Sequence, residues 1–369
     1  MPVLEERIGD GAHIFASLLG AERVYLTRAV KVDGVPTVPS RWLLRMEAVR
    51  NGADAEAPDD RPWLAWAQAR NGFAGPVRPQ RAPEPCPPVV LRPRRLSVTS
   101  VETWIANPYA IFARRILSLR PLPSLGRRPD ASLRGQIVHA ALGRFARRFP
   151  GRLPSDARAE LIACAEAALR DLSVAPRVAA FWAPRFARFA AWFAETEPGR
   201  RAGMTISLAE IDGALELAAP GGAFTLTARA DRIDVGEAGI VISDYKTGAN
   251  IKDRVGRALE GLEPQLPLEA AIAAAGGFAG IGGEIADLRL ISTSGGEPPG
   301  AECSFSAKHT DLAGLAGEAK AGLVRLIGAF DHATTPYSAL RRPRFAYRFD
   351  DFAHLARVAE WSLDVHEEA

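Results

Sequence analysis

The residues best suited to chemistry lie on one predicted hairpin. FTLTARADRIDV (224–235) and GIVISDYK (239–246) alternate as strands do, and they flank the turn signal GEAG (236–239). With Val235 paired to Ile240, counting back along both strands sets Asp231 opposite Asp244. Opposed side chains have Cβ atoms about 5 Å apart, so two carboxylates there repel unless a cation lies between them. A hard divalent ion is the natural remedy. Lys246, two residues beyond Asp244, shares its face, with Ile240 and Ile242 behind on the same line. A metal beside an ammonium is what phosphodiester hydrolysis needs: the metal binds a phosphate oxygen and acidifies water, and the ammonium positions that water or offsets developing charge. The local alternative is a surface ion pair between Asp244 and Lys246, with Asp231 and Asp234 as solvated acids beside the turn.

The surrounding pattern supplies the elements that must hold these groups. Leu133, Ile137, Ala141, Phe145 and Phe149 mark a helix, with His139 off its main apolar line and Arg144, Arg147 and Arg148 away from the stripe. Further helices are expected at 155–171 and 177–196. The second carries Phe181, Trp182, Phe186, Phe189, Trp192 and Phe193, whose helical spacing reads as core rather than as a base-stacking platform. Thr99 and Glu102 have capping-box spacing, and Pro108 suits the first turn of a helix bearing Tyr109, Ile111, Phe112 and Ile116. TISLAEI (205–211) is strand-like. After the hairpin come a helix at 263–275, a strand at 286–292, a helix near 309–329 and a last helix near 350–362. This order describes an α/β fold, a mixed sheet flanked by helices.

Composition narrows the class without naming a function. Apolar residues form 47% and charged residues 24% of 369, values of a globular chain rather than a disordered one. Net charge is only +3, yet between Leu91 and Arg152 about a dozen arginines face only Glu102 and Asp130. Such a surface suits phosphate oxygens, although arginine-rich codon usage produces the same bias. Cys86, Cys164 and Cys303 form no CxxC pair, against a zinc or disulfide framework and in keeping with a reducing cytoplasm. The N-terminus lacks the apolar core of a secretion signal, and LEAAIAAAGGFAGIGG (268–283) is short and Gly-rich for a membrane span, so a buried helix is expected. No Walker A string is present, so ATP-driven unwinding is not expected of this chain alone.

In residues 1–74 the strand-like AERVYLT (21–27) and helix-like SRWLLRMEAVR (40–50) offer too little apolar pattern for an independent domain. GPVRPQRAPEPCPPVVLRPRR (75–95) is Pro-rich and reads as a linker, leaving 96–369 as the main domain.

GQIVH (135–139), ARADRID (228–234), SDYKTG (243–248) and PQLPLEA (264–270) occur in the order and spacing by which the chain resembles the RecB-type branch of the PD-(D/E)xK nucleases. LTRAVKVDGVPTVPSRWLLRM (26–46) is similar to the last piece of the helicase-like region of AddB-type subunits, in their alphaproteobacterial form. LSVTSVETWIANPYAIFARRIL (96–117) is similar to the start of their nuclease. The resemblance therefore spans nearly the whole chain, with 1–74 as a helicase-like remnant.

The resemblance implies a restriction-endonuclease-like core with a helical segment leading into it. It implies one Mg²⁺, with Mn²⁺ able to substitute, held by His139, Asp231, Asp244 and the main-chain oxygen of Tyr245, with Lys246 as catalytic cation and Gln265 positioning the strand or Lys246. Arg114, Arg115, Arg144, Arg147 and Arg148 are candidate DNA contacts. The implied partners are single-stranded DNA at broken ends and an AddA-type helicase-nuclease subunit, with no membrane. The alternatives are a stand-alone RecB-like exonuclease of the Cas4 kind and an inactive scaffold. Two positions depart from the family pattern: Ala228 replaces its usual glycine, and Glu269 replaces the aromatic often found four residues after the glutamine. Some AddB-type subunits staple the two ends of the nuclease with a four-cysteine iron–sulfur cluster. Asn107 precedes the proline here and no C-terminal cysteine cluster exists, so no cluster is expected and packing must hold those ends.

Overall fold

The computed structural model describes residues 4–53, 62–72, 75, 80–122, 131–248, 250–309, 311–340, 342, 345 and 350–362. The chain divides into two compact units, Met1–Arg78 and Pro79–Ala369. In the first, helices span Leu4–Leu19, Arg41–Gly52 and Trp63–Asn71, and a short ribbon pairs Lys31–Val32 with Val35–Pro36. The helix expected at 40–50 forms, capped by Ser40, whose Oγ accepts the Leu43 amide at 3.3 Å. The strand expected at 21–27 does not form. Alternation makes a strand only where a neighbouring edge takes up the backbone groups, and no described residue pairs with this segment.

The second unit runs β1 (Arg95–Ser97), α1 (Val98–Ala106), α2 (Pro108–Ile111), α3 (Ala131–Arg148), α4 (Ala157–Asp171), α5 (Pro176–Arg200), β2 (Met204–Leu217), β3 (Phe224–Gly236), β4 (Gly239–Lys246), α6 (Ile251–Leu259), α7 (Gln265–Ala274), β5 (Ile285–Ser292), β6 (Ala301–Ser304), α8 (Leu312–Asp331) and α9 (Val358–Trp361). The strands make a six-stranded mixed sheet: β1–β3 and β4–β5 are parallel, whereas β2–β3, β3–β4 and β5–β6 are antiparallel.

β3 organises this sheet. β2 pairs with it from Phe224 to Gly236 and so occupies one of its two edges. β1 takes the other edge at Thr225–Thr227, and β4 takes that same edge from Arg232 onward. Between Thr227 and Arg232 neither strand pairs with β3 on that side, so the sheet forks there, and Asp231 lies in the fork.

Strand alternation assigns the two faces. Ile240, Ile242, Leu288 and Leu290 belong to a core with Val101, Val255, Leu268, Ile272, Leu315 and Leu323, from α1, α6, α7 and α8. Tyr245 and Ile291 point the other way, into a core with Val138, Phe145, Leu161, Phe189 and Phe193 of α3, α4 and α5. Phe189 and Phe193 are core, as their spacing implies, whereas Phe181 is exposed. The apolar run from 268 enters α7, where Leu266 through Ala273 are buried. No helix among the described residues is long and apolar enough to cross a membrane.

Two local expectations need correction. The cap of α1 lies two residues earlier than Thr99, because Ser97 leaves β1 extended and its Oγ accepts the Ser100 amide at 3.2 Å. Glu102 therefore lies inside the helix rather than at its cap. In the 350–362 segment only α9 is helical, and Arg357 adopts a left-handed φ of 53° just before it. Phe352 and Ala356 instead dock on Tyr109, Ala110 and Ala113.

The Pro-rich stretch is bound into this unit from Pro83. Pro85 and Pro83 accept the Tyr337 and Ala339 amides at 2.8 and 3.0 Å. Buried Arg92 donates to the carbonyls of Phe330 and His332 at 2.6 and 2.9 Å, which ties the start of the unit to the end of α8.

Candidate active site

The hairpin has the register that the sequence spacing demands, with Gly236 paired to Gly239, Val235 to Ile240 and Arg232 to Ser243. Gly239 has a φ of 114°, and a Cβ there would lie 2.4 Å from the Glu284 carbonyl oxygen, so only glycine lets β4 start this close to its neighbour. Asp231 and Asp244 come next in the count, but the ladder has ended. Instead Asp231 Oδ2 accepts the main-chain amide of Tyr245 at 2.9 Å.

The fork lets helices from both faces of the sheet reach this point. α3 brings His139, whose Nδ1 is 3.1 Å from Asp231 Oδ1. α7 brings Gln265, whose Nε2 donates to Asp244 Oδ1 at 2.7 Å and whose Oε1 accepts from Lys246 Nζ at 3.1 Å. Lys246 also donates to Asp244 Oδ1 at 2.9 Å. Its Nζ lies 2.7 Å from Asp244 Oδ2 as well but off the hydrogen-bond axis, so that oxygen is paired by charge and has no aligned hydrogen bond among the described residues. The surface ion-pair alternative fails, because Asp244 is only 3% exposed.

Electrostatics record crowding by carboxylates. Burial pushes Asp244 above its ordinary value; Lys246 opposes the shift and Asp231 reinforces it. Burial by itself would lower Lys246, but Asp244 prevails and raises it. His139 follows the same pattern: burial lowers it, whereas the hydrogen bond and charge of Asp231 raise it further. Glu269, one turn along α7 from Gln265, is pushed well up by burial and then by Asp244. A cation relieves every one of the carboxylate repulsions.

The donor chemistry fits a divalent ion. Two carboxylates, an imidazole and a main-chain carbonyl are oxygen and nitrogen ligands suited to Mg²⁺ or Mn²⁺, and buried Asp244 Oδ2 has no aligned hydrogen bond among the described residues. The side chains themselves are turned onto one another, Asp231 to His139 and Asp244 to Lys246. Among the described residues no three His, Cys, Asp or Glu side chains form a ready-made metal cluster.

The candidate arginines fall into two places. Arg114 lines a cleft of about 560 Å³ together with Glu102, Asn250, Arg254 and Glu263, and pairs with Asp351 at 2.8 Å. Glu102, Arg254 and Glu263 also line a small recess at Lys246 and Gln265, so the cleft adjoins the site. Arg115 donates to Ser100 Oγ. Arg144, Arg147 and Arg148, on the last turns of α3, pair with Asp171, Glu210 and Glu160.

One buried charged network has no counterpart in the sequence reading. Arg232, 1% exposed, is held by Glu197 of α5 at 2.8 Å and by Asp234 at 2.8 Å, and reaches Tyr245 Oη at 3.4 Å. Asp234 is therefore not a solvated turn residue; it is buried. Arg200 and Arg201 also grip Glu197, at 2.9 and 2.7 Å. Burial would raise Glu197, yet Arg232 and then Arg200 and Arg201 hold it down at about 2. This network lies directly behind Asp231 and Tyr245. The available signal was an arginine between the apolar Ala230 and Ile233, in a strand buried on both faces.

A mixed sheet with helices on both faces, presenting Asp231, Asp244 and Lys246 at the end of a hairpin, defines a nuclease core of the PD-(D/E)xK kind. The family model described as "PD-(D/E)XK nuclease superfamily" matches residues 95–341, and the chain belongs to that superfamily. Among curated proteins it is similar to an uncharacterized protein of Rickettsia felis, with 28% identity over 276 residues, 72% of this chain and 31% of that protein. It is also similar to the uncharacterized protein RT0391 of Rickettsia typhi, with 30% identity over 192 residues, 50% of this chain and 22% of that protein. The chain thus spans less than a third of the length of these relatives. A crystal structure of SSO0001 aligns with 63% of this chain and 76% of its own at 11% identity and a TM-score of 0.28, too loosely to support an argument.

Proposed function

We propose that this chain is a Mg²⁺-dependent deoxyribonuclease that trims single-stranded DNA at broken ends in the cytoplasm. It works as the nuclease part of an AddB-type subunit, alongside an AddA-type helicase-nuclease, to prepare ends for recombinational repair. The observation that carries the hydrolytic reading is the meeting of His139, Asp231, Asp244, Lys246 and Gln265 at the fork of the sheet. The AddB-type assignment rests on the similarity of residues 26–46 and 96–117.

His139, Asp231, Asp244 and the Tyr245 carbonyl would hold the metal, and Lys246 stands beside them. Bound Mg²⁺ supplies Lewis acidity, polarising a phosphate oxygen and making water a better nucleophile. The Lys246 ammonium, kept charged by Asp244, faces the negative charge that grows on the phosphate as the bond to water forms. Gln265 keeps that ammonium from rotating away. The adjoining cleft, with Arg114, Arg254 and Arg257 on its walls, is the path for the strand, its backbone phosphates meeting guanidinium groups.

The test is cleavage of end-labelled single-stranded DNA in Mg²⁺ by this chain, alone and with an AddA-type partner, against Asp244→Ala and Lys246→Ala. Loss of cleavage in both variants supports the reading. Wild-type activity that survives both substitutions removes these residues from the chemistry, and inactivity even with the partner favours a scaffold.

A further inference from the structure

Glu269 sits on α7 among Leu266, Leu268, Ala270, Ala271, Ile272 and Ala273, all buried, and is itself 1% exposed. A carboxyl in such surroundings is expensive unless its oxygens are satisfied. Only one is. Oε1 accepts the Gln265 side-chain amide at 3.2 Å, and Oε2 has no hydrogen-bond partner among the described residues. For packing alone an apolar residue would serve this helix better.

Its location gives the carboxyl another role. Gln265 Nε2 is shared between Asp244 Oδ1 at 2.7 Å and Glu269 Oε1 at 3.2 Å, while Gln265 Oε1 takes the Lys246 ammonium at 3.1 Å. Two carboxyl oxygens on one side and an ammonium on the other leave the amide a single direction. A reversed amide would set its oxygen against both carboxyls and its NH₂ against the ammonium. Two buried oxygens then have no aligned hydrogen bond among the described residues: Asp244 Oδ2, which has only the charge of the Lys246 ammonium 2.7 Å away, and Glu269 Oε2, both on residues that Gln265 Nε2 bridges. A hydrated cation brings hydrogen-bond donors for Glu269 Oε2 and positive charge beyond that of the one ammonium beside Asp244.

We propose that Glu269 is a positioning residue of the metal centre, fixing the Gln265 amide against Asp244 and Lys246 and offering its second oxygen to the hydration shell of the cation. This rests on the metal-dependent reading of the site above. It assigns a task to the position where the chain departs from the aromatic often found in the family pattern. Positioning and packing roles separate cleanly, because they move stability and metal affinity in opposite directions.

The experiment is calorimetric titration of Mg²⁺ into the chain, with metal-free thermal denaturation, for wild type, Glu269→Leu, Glu269→Gln and Asp244→Ala. We expect Glu269→Leu to melt at a higher temperature than wild type without metal, yet to bind Mg²⁺ about 10- to 100-fold more weakly. Glu269→Gln, which still accepts the Gln265 amide, should recover most of that affinity. Wild-type affinity in Glu269→Leu, with binding lost in Asp244→Ala, would overturn the role of Glu269 and leave the metal site standing. A wild-type chain that takes up no Mg²⁺ would overturn both. Failure of both Glu269 variants to fold would mark a structural role and also overturn the proposal.

Discussion

Tyr245 gives its main-chain amide to Asp231 Oδ2 across 2.9 Å, at the point where β3 and β4 cease to pair as a ladder. One carboxylate oxygen thus replaces a backbone carbonyl in the sheet, and the other is left toward His139. Asp231→Asn keeps an oxygen for the amide, so it should fold within about 1 kcal/mol of wild type while losing cleavage. Asp231→Ala leaves that amide unpaired and should cost about 1–3 kcal/mol in urea denaturation. Equal stability of the two variants would show that the bond does not hold the strands.

Lys246 is anchored by Asp244 and Gln265 and should act on the rate rather than on binding. Lys246→Met should lower kcat about 10²- to 10³-fold, the range for loss of one group that meets charge developing in the transition state. KM for single-stranded DNA should move by less than about threefold. A rise in KM at unchanged kcat would make Lys246 a substrate-binding residue instead.

Glu197 carries a stability effect with a definite pH signature. Its folded value of about 2 lies below its ordinary 4.5, so the stabilisation is fully present above pH 4.5 and is lost as the pH falls through about 2. Glu197→Gln weakens the hold on Arg232, whereas Glu197→Ala strips its main partner and should cost about 3–5 kcal/mol. The gap in unfolding free energy between wild type and Glu197→Gln should be flat above pH 4.5 and narrow below it. A gap that stays constant down to pH 2 would remove Glu197 from the acid response.

Gly239 tests whether hairpin register governs the site. A Cβ there meets the Glu284 carbonyl oxygen at 2.4 Å, and its φ of 114° is strained for any other residue. Gly239→Ala should cost about 1–3 kcal/mol and reduce cleavage more than that loss of folded protein explains, because β4 carries Asp244 and Lys246. Full activity per folded molecule would show that the site tolerates movement of the turn.

Most of the architecture was legible because its causes are local. Period-two alternation identified β3, β4 and β5, and the i, i+4 apolar stripe identified α3. What escaped were elements whose existence depends on partners. β1 and β6 are too short to announce themselves and form only as ladders on β3 and β5. The segment 21–27 shows the converse: its alternation promised a strand, and no described edge receives it. The 350–357 stretch, with apolar residues at helical spacing, uses Phe352 and Ala356 to cover α2 without becoming a helix.

The same division runs through the site. Chain spacing by itself determined the hairpin register, the shared face of Asp244 and Lys246, and the presence of His139 on a helix and Gln265 near the start of another, because these follow from turn length and from strand and helix periods. Only the tertiary structure decided that β1 and β4 share one edge of β3 and leave a fork. Because of that fork, Asp231 binds an amide instead of facing Asp244 across a ladder, and a helix on each face of the sheet reaches one of the two carboxylates, His139 to Asp231 and Gln265 to Asp244. Burial of Arg232 with Glu197, and of Glu269 beside Gln265, was settled at that level too. The cost of a buried charge depends on what surrounds it in space, and neighbours 35 residues apart, as Arg232 and Glu197 are, leave no period in the sequence to read.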